Sequence, residues 1–565
     1  MAVLGVAAAT VPGALRAHGG RCRYRKRGRL RRPGKGCQRP TACSRAAPDR
    51  RGVPQAPRAG GQHRCRQSSS WDEKRPATEP TGRGVPSPMS SFTAPTMTIG
   101  GESVRAEGEF SVVDPATGDE FARVPDCTPA QLDAAFAAAA AAFPDWSADE
   151  ERRRALMLDV AASVDAAAGE LASLLARETG KPEPLATLDM RSTKVWAPYL
   201  AGLEIPRRTI HDEGHTRVES THRPLGVVAA IVPWNFPIAT AMVKVLHALR
   251  AGDTVVLKPS PFTPVATLRL GEVLSEVLPP GVVNVVSGGD DLGAQMCAHP
   301  TPRMVSFTGS IVSGKRVAVT AAQDLKHVTV ELGGNDAAIL LEDADFALTV
   351  PAVLTRAFFN VGQTCAVPKR VFVPSARYVE AVDAFAETAR TLRLGTDAEA
   401  DLGPLTTKQQ YERVIELVDE AIAQGATAVV GGRAVDGPGF YFEPTIVAGA
   451  REGQRIVDEE QFGPALPILA YDTVEEAIAR ANDTMFGLCG SVWSTDLERA
   501  QSVAERLQCG VTYVNAHGVH LPSLPISPAK WSGLGTENGI NGLLSYMQAQ
   551  VVFTTRQPSG ASLVS

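Results

Sequence analysis

The chain has 565 residues, too many for one small core, and its 44% apolar and 21% charged content is ordinary globular composition. The net charge of −4 hides an asymmetry: residues 1–88 carry 20 Lys+Arg against 4 Asp+Glu, leaving 37 against 57 in the remainder. An acidic body argues against nucleic acid as its main partner.

The first 88 residues are rich in Arg, Gly and Pro, lack hydrophobic periodicity and contain RCRYRKRGRLRRPGK at 21–35. The apolar MAVLGVAAATV precedes that basic stretch, the reverse of a secretory signal. With too little to bury, residues 1–97 are expected to be a disordered basic tail. It is read as lying outside the working protein, with translation starting at Met89 or Met97. A basic arm for nucleic acid is the alternative.

From about residue 98 the pattern becomes regular. TPAQLDAAFAAAAAAF at 128–143 opens with a capping box, Thr128 and Gln131, and has Pro129 at the first helical position. A second helical stretch, 150–177, ends near Gly180. Short Val-rich runs then alternate with amphipathic segments: GVVAAIVP (226–233), DTVVLKP (253–259), GVVNVVSG (281–288), RMVSFTGS (303–310) and HVTVELGG (327–334). Such alternation predicts an α/β fold with a largely parallel sheet covered on both faces. Ligands in such sheets sit at the carboxyl ends of the strands.

Polar residues stand at several of those ends. Asn235 lies within PWNFP, Lys258 closes DTVVLK, and Glu331 follows VTV. SFTGSIVSGKR (306–316) ends a strand and starts a helix, a place where backbone N–H groups favour a pyrophosphate, with Gly314 allowing close approach. Thr-Gly-Ser is also an ordinary helix cap. FFNVGQTCAVPKR (358–370) holds Cys365, which taken alone reads as a packing thiol. A thiol, an amide donor and a carboxylate are together the parts needed to oxidise an aldehyde through a thioester: nucleophile, oxyanion donor and general base.

The nine cysteines are Cys22, Cys37, Cys43 and Cys65 in the tail and Cys127, Cys297, Cys365, Cys489 and Cys509 in the body. No spacing suits a metal, so no metal site is expected, and the scattered thiols point to a reducing, cytoplasmic compartment. The longest apolar runs are too short for a bilayer, so no membrane is expected.

PWNFP, VVLKPS, FTGSxxxGK, ELGG, GQTC, EEQFGP (459–464), NDTMFGL (482–488) and KWSGLGTENG (530–539) occur in an order and at gaps that resemble the aldehyde dehydrogenase superfamily, over about 98–556. The resemblance implies NAD as cofactor, NADP as an alternative, and an aldehyde as substrate. It makes Cys365 the nucleophile, Asn235 with the Cys365 N–H the oxyanion hole, and Glu331 the general base. Lys244 and Glu537 match positions that relay the proton outward. Trp234, Lys258, Ser260, Pro261, Gly309, Ser310, Gly314, Leu332, Glu460 and Phe462 match the cofactor cleft. It further implies a Rossmann-like NAD(P)-binding domain (98–205 and 222–332) and an α/β catalytic domain (333–542). A small β arm (206–221 and 543–558) would mediate oligomerisation to a homodimer or homotetramer.

Two departures stand out. Pro261 replaces a frequent glutamate, and Pro525-Ile-Ser-Pro528 replaces the usual Pro-Phe-Gly-Gly near the substrate mouth. Val243, where some relatives carry a bulky aromatic, points to medium or large apolar aldehydes. Rival readings are an enzyme that passes the acyl group to coenzyme A, a thiol hydrolase without redox chemistry, and a non-catalytic relative. Glu331 opposes the first, the cofactor positions oppose the second, and the intact thiol, amide and carboxylate oppose the third.

Overall fold

The computed structural model describes residues 94–556, so the expectations for the tail lie outside the described residues except at its last positions. There Thr96 already donates to Glu272, and Met97 opens a strand with its side chain fully buried.

The Val-rich runs become strands, each shorter than its run: Val227–Ile231, Thr254–Lys258, Val283–Val285, Met304–Thr308 and His327–Glu331. These five pair in parallel, and antiparallel edge strands complete an eight-stranded sheet. Val227–Ile231 and Thr254–Lys258 are buried at every position, as expected of strands covered on both faces. A second sheet of seven strands centres on Asp336–Leu340 and Pro368–Pro374 and is parallel except at one edge. Separate apolar cores form around the two sheets.

The first long helix runs Pro129–Ala148, and both halves of its capping box form. The stretch from 150 divides into Glu150–Ala166 and Ala168–Thr179, the second ended by Gly180 at a φ of 74°. The break falls at Ala167, whose composition carries no breaker signal.

Chain order and sheet order diverge near the end. Gly533–Leu534, inside the segment expected to be catalytic, returns to the first sheet and pairs with Val330 and Glu331. A third sheet joins Arg208–Glu213, Thr216–Pro224 and Met547–Thr555, so its strands run three residues past 221 and start four after 543. The intervening residues belong to the helix Gly539–Ser545, whose Leu543 is buried in the first core.

Candidate active site

The chain after Val227–Ile231 and the end of His327–Glu331 meet the loop that carries Cys365, through Asn235 and Glu331. That loop is held in an uncommon conformation: Asn360 and Val361 have φ of 52° and 60°, which disfavours any side chain with a Cβ. Packing and hydrogen bonds fix it. Asn360 Nδ2 donates to the carbonyls of Asn235 (3.1 Å) and Gln363 (3.3 Å), and a Cβ on Gly362 would lie 2.3 Å from the Gly463 carbonyl oxygen. Lys369, buried, donates to the carbonyls of Thr364 (2.8 Å) and Cys365 (2.7 Å) and pairs with Glu460 at 3.1 Å. The sequence reading passed over Lys369, although a cation four residues after a candidate nucleophile was a usable signal. Arg370, the next residue, binds the carbonyls of Asn335, Arg480 and Ala481 and has a structural place.

Cys365 is half-buried and hydrogen-bonds to the Glu331 carboxyl group. Burial and then the Glu331 charge push its thiol well above the ordinary value, with Lys369 opposing. Lys369 directs its ammonium group at backbone carbonyls and Glu460. Glu331, 7% exposed, is pushed up to about 8, first by burial and then by the charge of Glu537; Cys365 and Lys244 oppose. Thiol and carboxyl group are therefore coupled.

Asn235, 6% exposed, donates Nδ2–H to the Gln363 carbonyl at 2.9 Å. A carboxamide has two N–H donors, so one remains for another acceptor. Lys244 and Glu537, distant in sequence, meet at 2.6 Å, and Lys244 also donates to Ser306 at 3.1 Å. Ser306 in turn bonds Tyr546 and Thr329. Both charges are felt by Glu331. The Glu537 backbone is fixed by paired hydrogen bonds to Ile526, inside the divergent Pro525-Ile-Ser-Pro528 stretch.

Lys258, 3% exposed, donates to the Pro259 carbonyl at 3.2 Å. Burial lowers its pKa to about 8, while Asp290 and then Asp126 pull it back up. The buried Thr308 hydroxyl lacks a partner among the described residues. Ser310 caps the helix Ile311–Gln323 through the Ser313 N–H, at the helix end that favours an anion. Trp234 meets Phe462 edge-on at 5.3 Å, and Phe462 is held at a φ of 51°. A buried cation with donors to spare, an orphan hydroxyl and a helix N-terminus fit the ribose and pyrophosphate of a dinucleotide. Ser260 turns back to accept from the Phe262 N–H, and Pro261 beside it is part-buried.

Gly314 packs against a side chain. The group that approaches it is Leu332: a Cβ there would lie 2.3 Å from a Leu332 methyl. Gly309 is similar, since its Cβ would meet the Phe307 ring at 2.6 Å. Glu460 accepts from the Gly334 N–H at 3.1 Å and pairs with Lys369.

Comparison with known proteins agrees with this geometry. Residues 103–552 match the model of the aldehyde dehydrogenase family. The aldehyde dehydrogenase LUC3 of a Fusarium species is 36% identical, covering 82% of this chain and 99% of its own. Lactaldehyde dehydrogenase of Escherichia coli is 36% identical, with coverage of 81% and 98%. The structure of Staphylococcus aureus betaine aldehyde dehydrogenase in complex with NAD+ superposes with a TM-score of 0.81 at 31% identity, covering 84% of this chain and 97% of that one.

Proposed function

The chain belongs to the aldehyde dehydrogenase family, and from that premise we propose how its residues divide the oxidation of an aldehyde to a carboxylic acid. The observation that carries the proposal is the convergence of Cys365, Glu331 and Asn235 from three distant segments.

Cys365 attacks the aldehyde carbonyl once Glu331 has drawn off its proton, forming a thiohemiacetal. The free N–H of Asn235 and the Cys365 N–H stabilise the oxyanion. NAD, when bound, supplies the hydride acceptor; the Staphylococcus aureus relative is solved with NAD+. Lys258, Ser260, Pro261 and Gly309 line the adenosine side, and Ser310 offers its helix start to the pyrophosphate. Trp234, Leu332, Glu460 and Phe462 flank the nicotinamide side, and Gly314 lets Leu332 reach that position. The carbonyl carbon, having lost hydride, is left as a thioester on Cys365. Glu331, once its first proton has been passed outward, takes a proton from water, whose oxygen displaces the sulfur; returning that proton to the sulfur restores the thiol as the acid leaves. Lys244 and Glu537 pass the proton outward.

We place the substrate among medium or large apolar aldehydes, because Phe236 and Phe359 stack beside Asn235 and Val243 is small. We divide the chain into an NAD(P)-binding domain on the first sheet, a catalytic domain on the second and an oligomerisation arm on the third. The arm exposes Ile210, Val551 and Phe553, which supports a homo-oligomer. Free cysteines at the five described positions support a cytoplasmic location, and no described helix is long and apolar enough to cross a membrane. A panel of aliphatic, terpenoid and aromatic aldehydes, assayed for NADH and NADPH formation without coenzyme A, tests the reading. Turnover confined to small polar aldehydes would overturn the substrate class.

A further inference from the structure

Lys181 has no part in the chemistry above, yet it is buried within contact of the residue next to Asn235. Its ammonium group lies 3.9 Å from the centre of the Phe236 ring and pairs with Asp189 at 2.9 Å, both side chains being shielded from solvent. Asp189 uses its other oxygen to accept from the Ala239 N–H at 2.6 Å, in the first turn of the helix Pro237–Ala251, whose own cap residue supplies no side-chain acceptor. Glu178 does the same for a neighbouring helix by accepting from the N–H groups of Val265 and Ala266. The carboxylates are thus explained by orphan helix donors. The cation is not.

What Lys181 adds is a hold on Phe236. The other contacts of that ring include a stack on Phe359 at 5.8 Å and 14°, and Phe359 opens the loop that carries Cys365. The same corner reaches that loop by a second route. Thr406 donates its hydroxyl to the Thr179 carbonyl and its N–H to Gln363 Oε1, and the Gln363 carbonyl accepts from Asn235. A Cβ on Gly180 would lie 2.5 Å from Pro404, so this corner and the 403–406 loop pack without slack. A desolvated cation over an aromatic face is among the stronger such contacts.

We propose that Lys181 is a positioning residue for the oxyanion donor: through the Phe236 ring it fixes the peptide that carries Asn235 against the Cys365 loop. The inference rests on the proposed role of Asn235. Sub-ångström placement of such donors matters for rate, since small misplacements far from the chemistry are costly.

Lys181→Met alone strands a buried Asp189 charge and can fail by misfolding. The test therefore uses Lys181→Met/Asp189→Asn, which removes both charges and keeps an acceptor for Ala239. The expected result is a loss of kcat on the order of tenfold or more with NAD affinity held. Adding Asn235→Ala should then lower kcat no further than Asn235→Ala does alone. A destabilised but otherwise normal site would instead give losses that multiply. Undiminished kcat in the paired variant, or multiplying losses, would overturn the inference and leave the aldehyde oxidation reading intact. Undiminished kcat in Asn235→Ala would strike the oxyanion reading itself.

Discussion

Asn235 donates its carboxamide to the carbonyl of Gln363 at 2.9 Å, linking the first sheet's strand end to the loop of the nucleophile two residues before Cys365. The bond orients the amide and consumes one of its two donors. Asn235→Ala should therefore lower kcat by roughly 10²–10³-fold, the usual cost of one oxyanion donor, and leave NAD binding little changed. Steady-state kinetics together with a fluorescence titration of NAD check this. A tenth or more of wild-type kcat in the variant would remove Asn235 from the oxyanion hole.

Glu331 predicts both a pH profile and a trapped intermediate. Its folded pKa is raised to about 8, so the deprotonated form able to act as base accumulates as pH rises through that value. kcat should climb through this range and level off above it. In Glu331→Gln the climb should vanish and kcat should fall ~10²–10⁴-fold. Mass spectrometry should then find an acyl group on Cys365, because a thiol can lose its proton to solvent without the carboxylate whereas the far less acidic water cannot, so acylation survives better than hydrolysis. A variant that hydrolyses at the normal rate would assign the base elsewhere.

Cofactor choice turns on Lys258 and Pro261. The Lys258 pKa is lowered to about 8, so its positive charge is present below that pH and lost above it. The KM for NAD should rise on the alkaline side. Pro261 leaves no carboxylate at its position to repel a ribose phosphate. Pro261→Glu should depress kcat/KM for NADP more than for NAD, since like charges about 4 Å apart repel by as much as ~4 kcal/mol in a partly solvated site. An unchanged ratio would show that Pro261 does not face the ribose.

Much of this site could be read from the chain because its residues stand at strand ends, where Val-rich runs stop and a polar side chain follows. Asn235, Lys258 and Glu331 are such cases, and Ser310 combined cap and turn signals in one tripeptide. What escaped depends on three-dimensional surroundings. The raised thiol of Cys365 follows from burial and a carboxylate 34 residues away in sequence. The positive φ of Asn360, Val361 and Phe462 has no glycine to announce it. The packing of Leu332 against Gly314 is a contact that no local spacing encodes. The return of Gly533–Leu534 to the first sheet was hidden likewise, because two residues carry no periodicity.

The central claim is that the Cys365 thiol carries the acyl group. The most direct measurement is NADH formation from an aldehyde, without coenzyme A, by the wild type and by Cys365→Ser, paired with a titration of NAD binding to both. The account predicts steady NADH production by the wild type and loss of turnover in a variant that still folds and binds NAD. Turnover retained in Cys365→Ser would contradict it and return the thiol to a packing residue.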